Sequence, residues 1–584
     1  MDPVLRTLVD EWLRLDKNGT TRAEIQSLVA VNNVSELQKL LGTRIEFGTA
    51  GLRARMQAGF SRMNDLTVIQ ASQGLASYIL EQNPSGSSIV IGHDHRHNSA
   101  RFARLAAGVM ISRGIKVYFY DTLVHTPMVP FGVDYFKASA GLMITASHNP
   151  ALDNGYKVYW SNGCQIVPPH DIGIAAAIER NLEVTCWDAD LVDNSPELVE
   201  KRTEEVKVAY FEAVQKLVTS FNIPPLSFDF KFVYTPMHGV GLPFMTHLSQ
   251  ALGLEAGMST VPEQASPDPD FPTVRFPNPE EKGALDLAVA LAKEKRIPLV
   301  IASDPDADRF SAAQWIESSS SYRIFTGNEL GILFASFLLD CAPKEALHNT
   351  TMLCSTVSSQ MLKSMAQTEG FTFEETLTGF KWLGSRAIEI GNGAIYAFEE
   401  AIGYMFSPVV HDKDGISAAA VFITAARHWA SQGLSPYDKL QQLYAKYGHF
   451  QSANGYLVSP EPATTKKVFA GIRALGATIP ERRYPERVGQ RKILWWRDLT
   501  EGFDSNTSDG MPRLPVSKSS EMITCELEDE VRFTVRGSGT EPKIKMYIES
   551  RAESESEARR RAQEVYDDLV KEWFRPEETG LVAP

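Results

Sequence analysis

The sequence predicts an α/β protein built from several similar modules and followed by a smaller α+β domain. Short apolar runs end in loops dense with polar residues or glycine: SSIVIG into HDHRHN, GLMIT into ASHNP, FKFVY into TPMHGVG, PLVIA into SDPDADR, and AIYAF into EEAIG. Between them lie segments with helical apolar spacing, such as 101–114, 284–295 and 328–339. Beyond Tyr447 the character changes. Polar Ser/Pro/Glu-rich stretches (459–464, 502–517) precede strand-like VRFTVRG and KIKMYIE and a charged helix over 553–573. Alternating strand and helix implies parallel sheets, with ligands beyond the carboxyl ends of the strands, where these loops lie.

In chain order, the first 45 or so residues carry Leu5, Leu8, Trp12 and Leu15 at helical spacing, then a second such segment over 34–41. Their acidic, amphipathic start is unlike a signal peptide. The longest apolar stretch, around 331–339, is far short of the ~20 residues a membrane span needs. The 584 residues, 43% hydrophobic and 22% charged, suit several globular domains and exclude wholesale disorder. A formal net charge of −14 repels nucleic-acid phosphates, and the run Arg559-Arg560-Arg561 sits among glutamates as a solvated helix face. No nucleic-acid or membrane partner is expected. The five cysteines never form C-x-x-C, which suits a reducing, cytoplasmic setting.

Asp304, Asp306 and Asp308 alternate in DPDADR directly after an apolar strand. Carboxylates so close repel one another unless a cation sits among them, and all-oxygen ligands favour a hard ion such as Mg²⁺. An EF-hand is excluded, because its glycine and glutamate positions hold Arg309 and Trp315. Arg309 is placed to orient a phosphate or tether the carboxylates. Ser147 in TASHNP follows another strand without a G-x-S-x-G elbow. It reads as a phosphate acceptor if the metal loop shares its site, and otherwise as a turn residue. RGSGTEPKIK combines turn glycines, Ser538 and Thr540 hydroxyls, and the cations Arg536, Lys543 and Lys545. It reads as an anion site or a tight hairpin with basic neighbours. Glu399 and Glu400 in FEEAIG either accept hydrogen bonds from sugar hydroxyls or form a solvated turn. His93, His95 and His97 would share one face of a strand, but their segment reads as a loop with no fourth zinc ligand.

Taken together, FGTAGLR, TASHNP, DPDADR, FEEAIG and RGSGTEP, in that order, resemble the α-D-phosphohexomutase superfamily over essentially the whole chain. FGTAGLRARM, SRMNDLTVIQASQG, NPALDNGYKVYW and KIKMY are similar to its phosphoglucomutase-2, phosphopentomutase (phosphoribomutase) and glucose-1,6-bisphosphate synthase branch. The resemblance implies three α/β domains of one fold and a C-terminal domain of TATA-box-binding-protein-like fold around a central cleft. The expected limits are a helical extension over 1–45, α/β domains over 46–220, 221–325 and 326–447, and the last domain over 448–584.

The resemblance also implies roles. Ser147 would be the phosphoserine and complete a Mg²⁺ shell with Asp304, Asp306 and Asp308. His148 and Lys157 match positions for proton transfer, and Arg53 a catalytic arginine. Arg309, Thr378, Gly379, Lys381, Glu399, Glu400 and Lys413 would contact substrate. Arg536, Ser538, Gly539, Thr540 and Lys545 would hold the non-reacting phosphate. The activity implied is transfer of phosphate between C1 and the terminal carbon of ribose, deoxyribose or glucose 1-phosphate, primed by glucose 1,6-bisphosphate or ribose 1,5-bisphosphate. Alternatives are a glucose-1,6-bisphosphate synthase or a Mg-dependent sugar phosphatase. A monomer is the expected state. The chain departs from the family pattern at Ala401, Tyr404 and Lys545, where a serine, a histidine and an arginine are found elsewhere.

Overall fold

The N-terminal extension is helical because its caps and apolar spacing agree. Asp2 accepts from the Leu5 N–H at 2.9 Å, and Pro3 sits in the first turn of the helix Pro3–Leu15. Its buried stripe of Leu5, Val9, Trp12 and Leu15 packs with Leu37, Leu40 and Leu41 of the helix Val34–Leu41 and with Phe60 and Leu66. A further helix, Gly19–Ala30, buries only Ile25, so it left no periodic signal to read. The computed structural model describes residues 1–48, 51–223, 230–476, 484–538 and 542–583.

The chain forms two compact units, Met1–Ala342 with Gly379–Gly433, and Pro343–Thr378 with Leu434–Pro584. In the first unit, one sheet orders its strands Gly51–Arg55, Asp153–Trp160, Ala140–Ile144, Ser88–His93, Lys116–Phe119 and Val199–Glu200. A second orders Ser321–Ile324, Phe310–Ile316, Leu299–Ser303, Phe232–Thr235 and Met258–Thr260. Helices such as Asp65–Gln82 and Ser99–Ser112 bury one or more faces against the first sheet's core of Ile89, Ile91, Leu142, Ile144 and Val158. An antiparallel pair, Ala394–Glu399 with Gly403–Phe406, completes the strands that bear on the site.

The sheets are mixed, where strand–helix alternation predicts parallel ones. Asp153–Trp160 returns antiparallel on Ala140–Ile144, and Phe310–Ile316 returns antiparallel on Leu299–Ser303. The reason is loop length: a parallel return needs a crossover of about a dozen residues or more, and neither loop offers one. The serine loop and the aspartate loop are therefore hairpin turns, and the returning strand passes the loop that precedes it.

In the second unit, Thr351–Ser355 and Thr372–Thr376 pair in parallel through the helix Met361–Glu369. The strands beyond Tyr447 pair antiparallel, with Met522–Leu527, Val531–Gly537 and Lys543–Ala552 consecutive, over a core that includes Phe469, Trp496, Phe533 and Trp573. Glu375 is largely buried there. Arg497 stands 2.8 Å from its Oε1, Arg532 bonds its Oε2, and both guanidiniums lie over the Trp495 ring. Burial raises a carboxyl pKa, but Arg532 and Arg497 outweigh it and hold Glu375 at about 2 against an ordinary 4.5. A depressed folded-state pKa contributes stability that is full above pH 4.5 and lost as pH falls through about 2. Denaturant unfolding of Glu375→Gln is therefore expected to vary less between pH 5 and pH 2 than that of the parent, by about 3 kcal/mol.

Candidate active site

The serine loop is set by its backbone. Ser147 adopts φ +53°, left-handed for a residue with a side chain, and its N–H donates to Thr145 Oγ1 at 2.9 Å. Ala307 (φ +50°) and Ile402 (φ +51°) sit in the aspartate loop and in the Glu399–Gly403 turn with the same strain. Each such residue costs on the order of 1–3 kcal/mol, and together they mark loops held in shape by their surroundings. For Ser147 the holder is Arg96. Its Nη2 donates to Ser147 O and Asn149 O at 2.6 Å each, and its Nη1 to Pro150 O at 2.9 Å.

This geometry aims Ser147 Oγ at the acidic loop. The hydroxyl donates to Asp304 Oδ2 at 2.8 Å and lies 3.2 Å from His148 Nδ1. Adjacent residues often diverge, but here the left-handed turn brings both side chains together. Asp304, Asp306 and Asp308 are all buried, with a carboxylate oxygen of each within 4.8 Å of the others. It is the one grouping of three or more metal-ligating side chains among the described residues.

The strand register supplies the counter-charge. Lys157 lies opposite Met143 on the returning strand, and its Nζ donates to Asp306 Oδ2 at 2.8 Å and Asp308 Oδ2 at 3.0 Å. Lys413 Nζ stands 3.4 Å from Asp308 Oδ2. Arg309 donates its backbone N–H to Asp304 Oδ1 at 3.0 Å, while its Nη1 donates to Ala401 O at 2.6 Å. Arg309 thus ties the acidic loop to the glutamate turn. Two acceptors remain: Asp306 Oδ1 and Asp308 Oδ1 are buried without a hydrogen-bond partner. Buried carboxylate oxygens without hydrogen-bond partners, in a cluster of three carboxylates, fit a hard divalent cation.

The electrostatics agree with that fit. Burial and the neighbouring charges of Asp306 and Asp308 push the Asp304 carboxyl well above its ordinary range. Burial lowers a lysine, but Asp306 and Asp308 more than offset it, so Lys157 is held as an ammonium. Burial, then Arg309 and Arg53, push His148 well below its usual value, so its imidazole is neutral at pH 7.

The remaining predicted residues fall as follows. Arg53, on the strand beside Asp153–Trp160, is exposed and donates to Asn149 Oδ1 of the serine loop at 3.2 Å. Glu399 ends a strand, buried, with Oε2 unpartnered, and burial lifts it to about 7. Glu400 follows in the turn and is partly exposed. Gly379 (φ +109°) and Lys381 open the helix Phe380–Ile390, and Lys381 is buried over the Trp382 ring. Thr378, in the second unit, has an unpartnered buried Oγ1. Also in that unit, Arg536 lies opposite Lys545, and Ser538 N–H bonds Lys543 O at 2.8 Å. Gly539 and Thr540 lie outside the described residues.

The three histidines do not converge. His93 bonds Asp94 O, His95 packs on Phe271, and His97 meets Asp270 at 2.7 Å. Sequence reasoning missed Arg96, because its partners are loop carbonyls some fifty positions away, for which no pattern exists.

Models of the phosphoglucomutase/phosphomannomutase family match the chain in three consecutive stretches: alpha/beta/alpha domain I over residues 44–185, domain II over 208–314 and domain III over 326–447. Phosphoribomutase of Saccharomyces cerevisiae is 48% identical, over 99% of this chain and 98% of its own length. Phosphopentomutase of Homo sapiens is 44% identical over 98% of this chain and 96% of its own length. Glucose 1,6-bisphosphate synthase of Homo sapiens is 40% identical over 100% of this chain and 96% of its own. The serine hairpin lies in the first matched stretch and the buried aspartates in the second, and relatives align from end to end. The chain therefore belongs to the phosphoglucomutase/phosphomannomutase family, the α-D-phosphohexomutases.

Proposed function

We propose that this protein is a phosphosugar mutase, moving phosphate between C1 and the terminal carbon of ribose and deoxyribose 1-phosphate and, secondarily, of glucose 1-phosphate. The observation that carries the reading is the Ser147 hydroxyl 2.8 Å from Asp304 Oδ2, in a cluster whose Asp306 and Asp308 keep unpartnered oxygens. A phosphoryl group on Ser147 is primed by a sugar bisphosphate activator. It passes to a sugar hydroxyl as its bond to Oγ breaks; the sugar hydroxyl proton goes to a neutral base, and Oγ takes up a proton. The bisphosphate then reverses its ends, and its original phosphate returns to Oγ, which gives its proton to the base while the sugar oxygen left behind is protonated.

Neutral His148, its Nδ1 3.2 Å from Oγ, would accept and return the proton, and Lys157, held as an ammonium, would offset charge on the phosphoryl oxygens. Asp304, Asp306 and Asp308 would hold Mg²⁺, which when bound neutralises charge developing in phosphoryl transfer. Glu399 and Glu400 would accept from sugar hydroxyls, Lys413, Lys381 and Thr378 would contact substrate, and Arg536, Ser538 and Lys545 would hold the distal phosphate. The cysteines form no disulfide, which suits the cytoplasmic setting we assign.

The higher identity to phosphoribomutase than to the bisphosphate synthase supports the mutase reading. The test is kcat/KM for ribose 1-phosphate against glucose 1-phosphate, with Mg²⁺ and activator. A pentose preference of at least about tenfold is expected, within the range that one small group in a pocket discriminates. Glucose preference would reassign the substrate. Turnover of neither, with bisphosphate formed from an acyl phosphate, would make it a synthase, and release of inorganic phosphate without activator a phosphatase.

A further inference from the structure

Thr126 grips Asp306 twice. Its backbone N–H donates to Asp306 O at 2.9 Å, and its hydroxyl donates to Asp306 Oδ2 at 2.5 Å. Thr126 is fully buried, in the turn between the strand Lys116–Phe119 and the helix Met128–Phe136. It therefore reaches Asp306 across 180 positions of sequence. Its neighbour His125 anchors the turn with its ring 4.1 Å from that of Phe244 and 4.9 Å from that of Tyr210.

The consequence lies in which oxygen is used. Lys157 Nζ and Thr126 Oγ1 both donate to Oδ2, while Oδ1 of the same carboxylate has no partner. A carboxylate with one oxygen held by two donors has lost its rotational freedom, and its other oxygen keeps a fixed direction. The backbone bond adds a second constraint, since it fixes the Cα from which that side chain starts. Lys157 alone would not do this, because it is shared with Asp308 at 3.0 Å and can follow either carboxylate. The opposite side of the loop is also braced. Gly415 N–H donates to Ala307 O at 3.2 Å, and a Cβ on Gly415 would stand 2.3 Å from Arg309 O.

We infer that Thr126 is a positioning residue for the divalent cation: its hydroxyl orients Asp306 so that Oδ1 is presented to the metal. The inference rests on the reading of the aspartate loop as a metal site. Outer partners of metal ligands typically contribute about 10–100-fold in affinity. Thr126→Val removes the hydroxyl at nearly constant shape and keeps the backbone bond. Thr126→Ser keeps both bonds.

The experiment is Mn²⁺ binding to the full-length protein without sugar phosphate, by electron paramagnetic resonance of free Mn²⁺, with thermal unfolding alongside. The parent and Thr126→Ser are expected to bind alike, and Thr126→Val about 10–100-fold more weakly. In turnover, Thr126→Val should lower kcat at fixed Mg²⁺, leave KM for the sugar phosphate unchanged, and regain rate as Mg²⁺ is raised. Equal Mn²⁺ affinity in Thr126→Val and parent overturns the inference, as does a loss in Thr126→Ser as large as that in Thr126→Val. If Thr126→Val does not fold, Thr126→Ser and Thr126→Ala decide by the same comparison. Failure of the parent itself to bind Mn²⁺ overturns the metal reading, and this inference with it.

Discussion

Ser147→Ala is expected to abolish mutase turnover with every sugar phosphate, by about 10⁴-fold or more, the scale on which loss of a covalent nucleophile is felt. The reason is geometric: the Ser147 hydroxyl stands 2.8 Å from Asp304 and 3.2 Å from His148. The variant should fold normally. Alanine keeps the Cβ at φ +53°, so the turn is no more strained than before, and the Arg96 bonds to the loop carbonyls do not involve the hydroxyl. Labelling separates chemistry from binding. Glucose 1,6-bisphosphate carrying radioactive phosphate should label the parent on Ser147 and leave the variant unlabelled. Turnover by Ser147→Ala near the parental rate would sink the phosphoserine mechanism.

Lys157→Met should destabilise the first unit and make its stability depend on divalent cations. The ammonium lies 2.8 Å from Asp306 and 3.0 Å from Asp308, and both carboxylates are buried. Removing one partner of a buried ion pair leaves charge uncompensated, at a cost of about 3–5 kcal/mol. Lys413 stands 3.4 Å from Asp308 and offsets part of it. Denaturant unfolding in EDTA should show the loss. Mg²⁺ at a hundredfold its dissociation constant should restore about 2.7 kcal/mol, because the cation takes over the neutralisation that Lys157 provides. Turnover should fall by about 10²–10³-fold even with Mg²⁺ saturating, the scale of one lost electrostatic donor. Unchanged stability in EDTA, with no response to Mg²⁺, would show that Lys157 does not neutralise the cluster.

Much of this architecture is legible in the sequence, for physical reasons that also mark where legibility stops. Apolar runs such as LVIA and GLMIT are buried along their whole length, so their unbroken apolar character marks them as strands, and the polar residues after them mark the loops. Asp304, Asp306 and Asp308 stand out because adjacent like charges need a reason to be adjacent. What stays hidden is whatever depends on contact between distant positions. Thr126 and Arg96 are ordinary residue types in ordinary turns, and their roles arise only when the fold brings Asp306 and the serine loop beside them. The antiparallel returns are hidden for a related reason. The run NGYKVYW is apolar in the manner of a parallel strand, because both faces of Asp153–Trp160 are covered, and its direction is decided by a loop length that composition does not express. The Gly19–Ala30 helix, with one buried residue, lies at the other limit, a helix held by neighbours and caps rather than by its own amphipathic face.

Residues 326–447 match as one family domain, yet Pro343–Thr378 is compact with the C-terminal part of the chain. What is inherited together is thus not what folds together. An exchange of 326–447 between two relatives would carry Glu375 away from the Arg497 and Arg532 that hold it ionised in the interior. The recipient must then offer two cations at the same places, or bury a lone carboxylate. Recombination at these seams is constrained by an ion-pair network that neither boundary reveals.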